Sequence, residues 1–451
     1  MSMIDPLIFN LLSFLIVIGV LVTVHEYGHY IVGKYFGVKV LCFSVGFGKP
    51  IYKYKSKAGD KTEYRLSMIP LGGYVQFLDS RNDKVASEEI KRSFDHQPLL
   101  SKISILFAGP LFNFLFAIIV YFFIFSNGVM TMKPIVGEVI NGSYAYDAGL
   151  LYEDEIISIN GKQSSDWDTV ITLIMSSVVN NEDFRIKVKN KNYGERLVNI
   201  LINDNNTDLT EPGKLFIGIG FYPWRPPPIV GEVVENSPAD LGGLKPGDKI
   251  TSINNIKIKA FTEIREIVAN RPGELVQVEF LRDKLLFKET IKLENKKNGK
   301  NKNGFLGVGF SNNLEDYWYL DQSNFIEAMR KSIYQTWSTT TFTISMLAKM
   351  ISGEVSTKNI SGPFSIAKYA GVSANAGLNQ FLKFLALLSI SLGVINLFPI
   401  PMLDGGQIVQ FTIESLKGSP LSPRFELITK QFGIISIFIL MSIAFYNDLF
   451  G

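Results

Sequence analysis

The stretch LLSFLIVIGVLVTVHEYGHY, from Leu11 to Tyr30, determines how the rest of the chain is interpreted. Residues 6–24 form an uncharged run of 19, close to the roughly 20 residues that a helix needs to cross a bilayer. A signal peptide would give a similar run, but no basic region precedes this one and no small-residue cleavage site follows it. We therefore expect a transmembrane helix that ends in a group of ionisable side chains.

Three further charge-free runs follow the first. They extend from Ile103 to Phe125, from Phe384 to Leu403 and from Phe432 to Tyr446. Hydrophobic residues make up 47% of the 451 residues, and their concentration in these runs excludes a compact soluble domain. We predict a polytopic α-helical membrane protein with four transmembrane helices.

The charged residues outside these runs indicate an orientation. Lys and Arg outnumber Asp and Glu between Lys34 and Lys102, and three more basic residues lie between the third and fourth runs. Since basic residues are retained on the cytoplasmic side, we expect both short loops there and residues 130–379 outside. The net charge of +3 argues against nucleic acid as a partner, and the single cysteine, Cys42, excludes a disulfide framework and a cysteine-based zinc site.

The segment between the second and third runs contains a duplication. PIVGEV begins at Pro134 and again at Pro228, and IISING at Ile156 is matched by ITSINN at Ile250, 94 positions later in both cases. Two matches in one register predict a tandem repeat of one folded unit. Short alternating strands followed by a helix, such as residues 262–269, are typical of a small α+β domain.

SPADLGGLKPGDKITSINN, from Ser237 to Asn255, resembles the core of PDZ domains, especially those attached to bacterial proteases. The first copy is less similar, because it has YED at 152–154 where the second has PGD at 246–248. PDZ domains bind an extended peptide as an added strand. The two units are therefore expected either to capture a ligand or to act as spacers or steric gates, and RPPP at 225–228 predicts a semi-rigid connection between them.

VHEYGHY, from Val24 to Tyr30, places two histidines and a glutamate at the end of the first run. His25 and His29 lie at i and i+4 on one helix face, the spacing at which two imidazoles bind one zinc ion, with Glu26 beside them as general base. The same pattern also occurs by chance in soluble helices. Here it continues a helix that has crossed lipid, where ionisable groups are costly and mostly functional. We therefore predict that both histidines are metal ligands and that Glu26 is catalytic.

Two imidazoles leave a tetrahedral zinc ion two ligands short, and one of the two is water. Asp404 ends the third run in NLFPIPMLDGGQ, where Pro399 and Pro401 interrupt the helix. By the orientation above, His25 and Asp404 lie at the same depth near the cytoplasmic side, so Asp404 is the candidate third ligand. The alternative is a helix-stop residue at the membrane interface.

HExxH in the first run, NxxPxPxxDG from Asn396 to Gly405 and two PDZ-like units between the spans together resemble the site-2 protease family, as do GPLFNF at 109–114 and VGFGKP at 45–50. The resemblance covers nearly the whole chain and implies a zinc-dependent endopeptidase of the bacterial inner membrane. Its implied substrates are single-pass membrane proteins, such as an anti-sigma factor already cut outside the membrane, and remnant signal peptides. It also implies that Asn396 contacts the substrate backbone near the scissile bond. The alternative is that this amide satisfies backbone groups freed by Pro399.

An intramembrane protease must extend its helical substrate before hydrolysis. Residues 38–47 and 64–77 are rich in aromatic and β-branched residues and flank a charged turn around residues 58–60, which predicts a β-hairpin on the cytoplasmic side. Gly46 and Gly48, on either side of Phe47, would let another backbone approach closely. We expect an edge strand here to accept the substrate by strand addition. The alternative is that the glycines mark a bulge.

Two other protein classes are compatible with parts of the pattern. A membrane-anchored PDZ adaptor with a vestigial metal site would tolerate the loss of Glu26, and a zinc transporter would carry several ionisable clusters along a path through the lipid. Apolar residues at helical spacing in 325–351 predict an amphipathic helix on the outer leaflet or against the repeats. Asn113 is interpreted as a packing polar group, and His96 as an interfacial residue.

These observations predict a linear domain organisation. In chain order it comprises the first transmembrane helix with HExxH (1–33), a cytoplasmic-side β region (34–97), the second transmembrane helix (98–127), two PDZ domains (128–223 and 224–311), amphipathic helices and a linker (312–378), the third transmembrane helix with the Asp-Gly motif (379–404), a cytoplasmic loop (405–430) and the fourth transmembrane helix (431–451).

Overall fold

The computed structural model describes residues 5–57, 59–81, 85–202, 207–298, 301–310 and 316–450. It divides into two compact units. The repeat unit comprises chiefly Met130–Leu320, and the membrane unit comprises Pro6–Val129 and Asp321–Gly451. Ala58, in the predicted hairpin turn, lies outside the described residues.

Helices and strands alternate in blocks along the chain. The helices are α1 (Pro6–Tyr35), α2 (Leu99–Asn127), α3 (Tyr144–Asp147), α4 (Trp167–Val179), α5 (Lys214–Ile219), α6 (Pro238–Leu241), α7 (Phe261–Ala269), α8 (Phe325–Ile351), α9 (Pro363–Asn375), α10 (Leu378–Leu397), α11 (Asp404–Lys417) and α12 (Pro423–Phe450). The strands are β1 (Val40–Lys55), β2 (Glu63–Phe77), β3 (Val129–Met132), β4 (Val136–Val139), β5 (Glu155–Ile159), β6 (Lys162–Gln163), β7 (Phe184–Asn190), β8 (Gly194–Ile200), β9 (Phe221–Pro223), β10 (Val230–Val233), β11 (Lys249–Ile253), β12 (Ile256–Lys257), β13 (Leu275–Arg282), β14 (Leu285–Lys292), β15 (Glu294–Asn298), β16 (Asn301–Phe305), β17 (Val308–Phe310) and β18 (Trp318–Asp321).

Among the described residues, four helices are long and apolar enough to cross a bilayer, which agrees with the predicted number. They are α1, α2, α10 and residues 424–450 of α12. The third span lies earlier than predicted, because Pro399 and Pro401 follow the end of α10 at Leu397 and cannot continue its hydrogen bonding. Asp404 therefore opens α11 and does not end the third span. Residues 405–430, expected to form a loop, consist largely of α11 and the start of α12.

Helix α2 is the centre of the membrane unit, with α1, α8, α10 and α11 packed around it. Small and β-branched side chains fill its contact with α10, including Ala117, Val120, Ile390 and Val394, all buried. Its burial on several sides is consistent with its lack of charged residues after Lys102. This arrangement holds α2 directly against the histidines of α1.

The β1–β2 pair forms a hairpin whose first half is doubly paired. Residues 42–45 of β1 pair with residues 73–76 of β2 on one side and with residues 63–66 on the other. The start of β1 is therefore a central strand, and residues 73–76 form an edge to which no further strand of the described chain is paired.

The repeat unit contains the same topology twice. The first copy has a four-stranded sheet in the order β6-β5-β7-β8, and the second has β12-β11-β13-β14. Each has its own apolar core, and in each a buried carboxylate pairs with an arginine, Asp154 with Arg196 and Asp248 with Arg282. The duplication read from the sequence thus corresponds to a duplicated fold.

The two copies differ after their last long strand. In the second, residues 301–310 form β16 and β17, and a cavity of about 360 Å³ lies between them and α7. In the first, the matching stretch LFIGI is the helix α5, bounded by Gly213 and Gly220 in the left-handed region. Buried Leu209 and Leu215 belong to the same apolar core as α4, and Phe216 packs against Trp167 of that helix.

Candidate metal centre and its cavity

Helix α1 is continuous from Pro6 to Tyr35, so His25 and His29 lie on the same face one turn apart. Both imidazoles are buried, with ring centroids 4.8 Å apart and planes at 82°. Their Nε2 atoms are 3.2 Å from each other. The helix therefore brings two ring nitrogens to one point.

Asp404 reaches the same point from α11. The turn between α10 and α11 is tight, with Met402 at φ 86°. A Cβ on Gly405 would lie 2.1 Å from the carbonyl oxygen of Leu397, and one on Gly406 would lie 2.2 Å from that of Ile400, so only glycine fits at either position. As a result Asp404 Oδ2 lies 3.2 Å from Nε2 of His25 and 3.5 Å from Nε2 of His29.

These three side chains fit a zinc ion. Their ligand atoms all lie within 4.8 Å of one another. Asp404 Oδ2 is buried and makes no hydrogen bond to any described residue, as expected for an atom whose partner is an ion. Nδ1 of His29 lies 2.8 Å from the carbonyl oxygen of Ile105, which can only accept, so Nδ1 carries the proton and Nε2 presents its lone pair. Two imidazoles and a carboxylate form a set that zinc prefers.

Two glycines allow α2 to pack closely behind the histidines. A Cβ on Gly28 of α1 would lie 2.4 Å from the carbonyl oxygen of Ala108. A Cβ on Gly109 of α2 would lie 2.3 Å from Nε2 of His29 and 2.8 Å from Cε1 of His25. Glycine at these two positions therefore leaves the space that α2 and the two imidazoles need to pack together.

A cavity of about 850 Å³ opens onto the three side chains. Glu26 and Asn396 both line it, and Nδ2 of Asn396 lies 3.5 Å from Nε2 of His25. Glu26 follows His25 on the same turn of α1, and its Cγ would lie 3.2 Å from a Cβ on Gly73. The cavity thus brings together the residues predicted as ligands, base and substrate contact.

Of the three residues Gly46, Phe47 and Gly48, which the sequence predicts to bind substrate, only Phe47 lines the cavity. Phe47 lines it and stacks on Tyr74 at 6.4 Å, whereas Gly46 and Gly48 are not among the lining residues. Both glycines have positive φ, 90° and 84°, where β1 bends. Residues 72–77 of β2 line the cavity, and residues 73–76 are the edge of the hairpin there.

Polar side chains also line the cavity. They include Gln76, Asp79, Arg81 and Gln407, and Arg81 donates to Asp79 through Nε and Nη2. The neighbouring turn is held by Asp95. Burial raises the pKa of Asp95, but hydrogen bonds from Ser80 and Ser93 outweigh it and leave the pKa below its usual value. His96, predicted to be interfacial, is half exposed, and its Nδ1 lies 3.0 Å from Asp95 Oδ2.

Asn113 is the site residue that the sequence interpretation missed. It is fully buried in α2, and its Nδ2 lies 3.2 Å from Nδ1 of His25. Its only sequence signal was an amide within an apolar run, four residues after Gly109. That signal is the same for a packing polar group and for a partner of a metal ligand.

The chain is similar to known peptidases. Peptidase family M50 matches residues 13–440. The regulator of sigma E protease of Haemophilus influenzae is 37% identical over 445 residues, covering 98% of each chain. The regulator of sigma-E protease RseP of Escherichia coli is 35% identical over 451 residues, and a putative zinc metalloprotease of Vibrio cholerae is 36% identical over 450, again with 98% of each chain covered.

Among solved structures, a PDZ domain of an SdrC-like protein from Listeria monocytogenes matches 19% of this chain and 88% of that chain, at 23% identity and a TM-score of 0.17. The family matches confirm the resemblance to site-2 proteases, the zinc-dependent peptidase activity and the membrane location that the sequence predicted. The roles of individual residues, the number of PDZ domains, the side of the membrane and the substrates stay predictions.

Proposed function

Because the chain belongs to peptidase family M50, the site-2 protease family, and is a zinc metalloendopeptidase, we propose that it cleaves single-pass membrane proteins at the site formed by His25, His29 and Asp404. The observation that carries this assignment is the convergence of their three ligand atoms within 4.8 Å, although Asp404 lies 375 positions after His29 in the chain. In this proposal the three side chains hold the ion, and Glu26 is the catalytic base.

A zinc ion held by these residues would act as a Lewis acid toward the scissile carbonyl and would make a water molecule more acidic. Glu26, beside the histidines and lining the same cavity, takes up the proton of the attacking water and delivers it to the leaving amine. Asn396 donates from Nδ2 to the substrate backbone next to the scissile bond, a role supported by its position on the cavity wall. In this proposal Glu26 transfers the proton, and Asn396 binds and orients the substrate backbone.

We propose that the substrate binds as an added strand on residues 73–76 of β2. This edge has backbone donors and acceptors free of a second strand partner in the described chain, and it lines the cavity beside Glu26. Gly73 keeps this edge packed against α1 and β1, because a Cβ there would lie 2.7 Å from Val22 and from the carbonyl of Ser44. Phe47 and the bends at Gly46 and Gly48 would shape the entrance to this strand site.

The relatives named as regulators of sigma-E protease support a finer proposal for the substrates. We expect a single-pass anti-sigma factor, first cut outside the membrane, and remnant signal peptides. Regulated intramembrane proteolysis of this kind would place the chain in the bacterial inner membrane. The basic residues between Lys34 and Lys102 support a cytoplasmic side for the metal site, and the repeat unit would then lie in the periplasm.

We propose that both repeats are PDZ domains with different tasks. The second has an open cavity between α7 and residues 303–308, suited to an extended peptide. In the first, α5 and Leu209 occupy the space beside α4, so this copy is suited to limiting access and not to capture. The two roles that the sequence left open would thus be distributed between the two copies.

Cleavage by the purified chain in nanodiscs tests the proposed function. The substrate is a single-span protein whose outer domain has been trimmed, offered beside an untrimmed version. We expect one cut within the span, loss of cleavage on removal of zinc with a chelator and recovery on its return. The matched control is Glu26→Gln, which should bind zinc and remain folded but not cleave. Cleavage by this variant in a protease-free preparation would overturn the assignment of Glu26.

A further inference from the structure

The amide of Asn113 has only half of its hydrogen bonding satisfied. The side chain is fully buried, with 0% exposure, and Nδ2 lies 3.2 Å from Nδ1 of His25. Oδ1 has no hydrogen-bond partner among the described residues. A buried acceptor without a partner costs about 1–3 kcal/mol, so simple packing does not account for an asparagine here.

The two histidines have different partners at Nδ1. His29 faces the backbone carbonyl of Ile105, which only accepts, so its tautomer is fixed. His25 faces an amide, which either donates or accepts according to its rotation. In the arrangement observed, Nδ2 of Asn113 donates to Nδ1 of His25, so the ring proton is on Nε2, 3.2 Å from Asp404 Oδ2. In this state Nε2 of His25 has no lone pair to offer to a metal ion.

We propose that Asn113 is a positioning residue for His25 that turns its amide by half a rotation when the metal ion binds. Oδ1 then accepts from Nδ1–H, and Nε2 presents its lone pair. The ring loses one proton from Nε2 and gains one at Nδ1, so its charge does not change. Asparagine suits both states, because a carboxylate could only accept and an aliphatic side chain could do neither.

This inference rests on the zinc site proposed above. It is tested with Asn113→Leu, which keeps the size but removes hydrogen bonding, and Asn113→Asp, which only accepts. Zinc affinity of the full chain in detergent is measured by competition with a chelator, and folding by thermal melting without metal. We expect Asn113→Leu to bind zinc about 10 to 100 times more weakly, as removal of a ligand's partner does. Asn113→Asp should bind at least as tightly as the original chain.

Ser389→Ala provides a matched control in the same place. Its hydroxyl donates to the backbone carbonyl of Asn113 at 2.8 Å and is equally buried, but it does not touch His25. Its zinc affinity should be unchanged. Equal zinc affinity for Asn113→Leu and the original chain would overturn the proposal.

The tautomer itself can be observed, since the chain has only three histidines. Solid-state NMR of the ¹⁵N-histidine protein should show Nδ1 of His25 unprotonated without metal and protonated with zinc, while Nδ1 of His29 is protonated in both. In Asn113→Asp, Nδ1 of His25 should be protonated throughout. A protonated Nδ1 in the metal-free original chain would refute the rotation. Absence of any zinc effect on His25 would instead refute the proposed metal site itself.

Discussion

Gly109→Ala adds one methyl group at the closest contact between α2 and the histidine pair. The new Cβ would lie 2.3 Å from Nε2 of His29 and 2.8 Å from Cε1 of His25, whereas ordinary van der Waals contact begins at 3.4 Å. At least one imidazole must therefore move by about 1 Å, several times the roughly 0.2 Å within which metal–ligand distances are held. The backbone of α2 has little room to retreat from α1, because α8, α10 and α11 also pack against it.

We expect this substitution to weaken zinc binding by about 100-fold, equivalent to about 2.8 kcal/mol at 1.4 kcal/mol for each factor of ten. The folded state should lose less. Overpacking costs about 1–3 kcal/mol, and replacing glycine by alanine inside a helix returns about 1 kcal/mol. Zinc affinity by chelator competition and melting temperature without metal separate the two effects.

Gly19→Ala is the matched control, because this glycine also lies in a spanning helix and a Cβ on it would meet no atom within 4 Å. It should bind zinc and cleave substrate like the original chain. The reasoning is refuted if Gly109→Ala keeps the original zinc affinity, or if it loses zinc only because it no longer folds without metal.

Three further predictions concern base, substrate and stability. Glu26→Gln should reduce cleavage by about 10² to 10⁴-fold at unchanged zinc content, because it removes the proton acceptor but no ligand; activity and metal analysis on one sample check this. Phe47→Ala should lower kcat/KM about tenfold or more at unchanged zinc affinity, since an aromatic cavity wall is lost. Arg282→Ala should destabilise the repeat unit by about 3 kcal/mol, because Asp248 is left buried and unpaired; the exposed ion pair removed by Lys288→Ala should cost little in the same thermal melt.

The features that sequence reasoning predicted were those with a local signal. HEYGH places its histidines on one face through helix periodicity alone, and the two PIVGEV segments reveal the duplicated fold through a constant offset. Asp404 could be found as well, because it directly follows the third apolar run at the depth expected for His25. In the structure its Oδ2 lies 3.2 Å from Nε2 of His25.

Other features depend on contacts between distant segments. The partner of Asn113 lies 88 positions away, so nothing in its neighbourhood distinguishes it from a packing amide. An alternating strand pattern is the same for a central and an edge strand, so the double pairing of residues 42–45 had no signal.

Packing also decides between helix and strand in the repeats. The residues of the second copy that match LFIGI at 215–219 are in part strand. In the first copy Leu209 packs against Gly218, where a Cβ would meet it at 2.0 Å, and the segment is the helix α5. Tertiary burial has overridden local propensity there.

The central claim is that His25, His29 and Asp404 hold one zinc ion between them. X-ray absorption spectroscopy of the zinc-loaded chain, combined with metal analysis, tests it most directly. The account predicts one zinc per chain with two imidazole ligands and one carboxylate, and loss of tight binding in Asp404→Ala. Unchanged zinc content and an unchanged spectrum in that variant would contradict it.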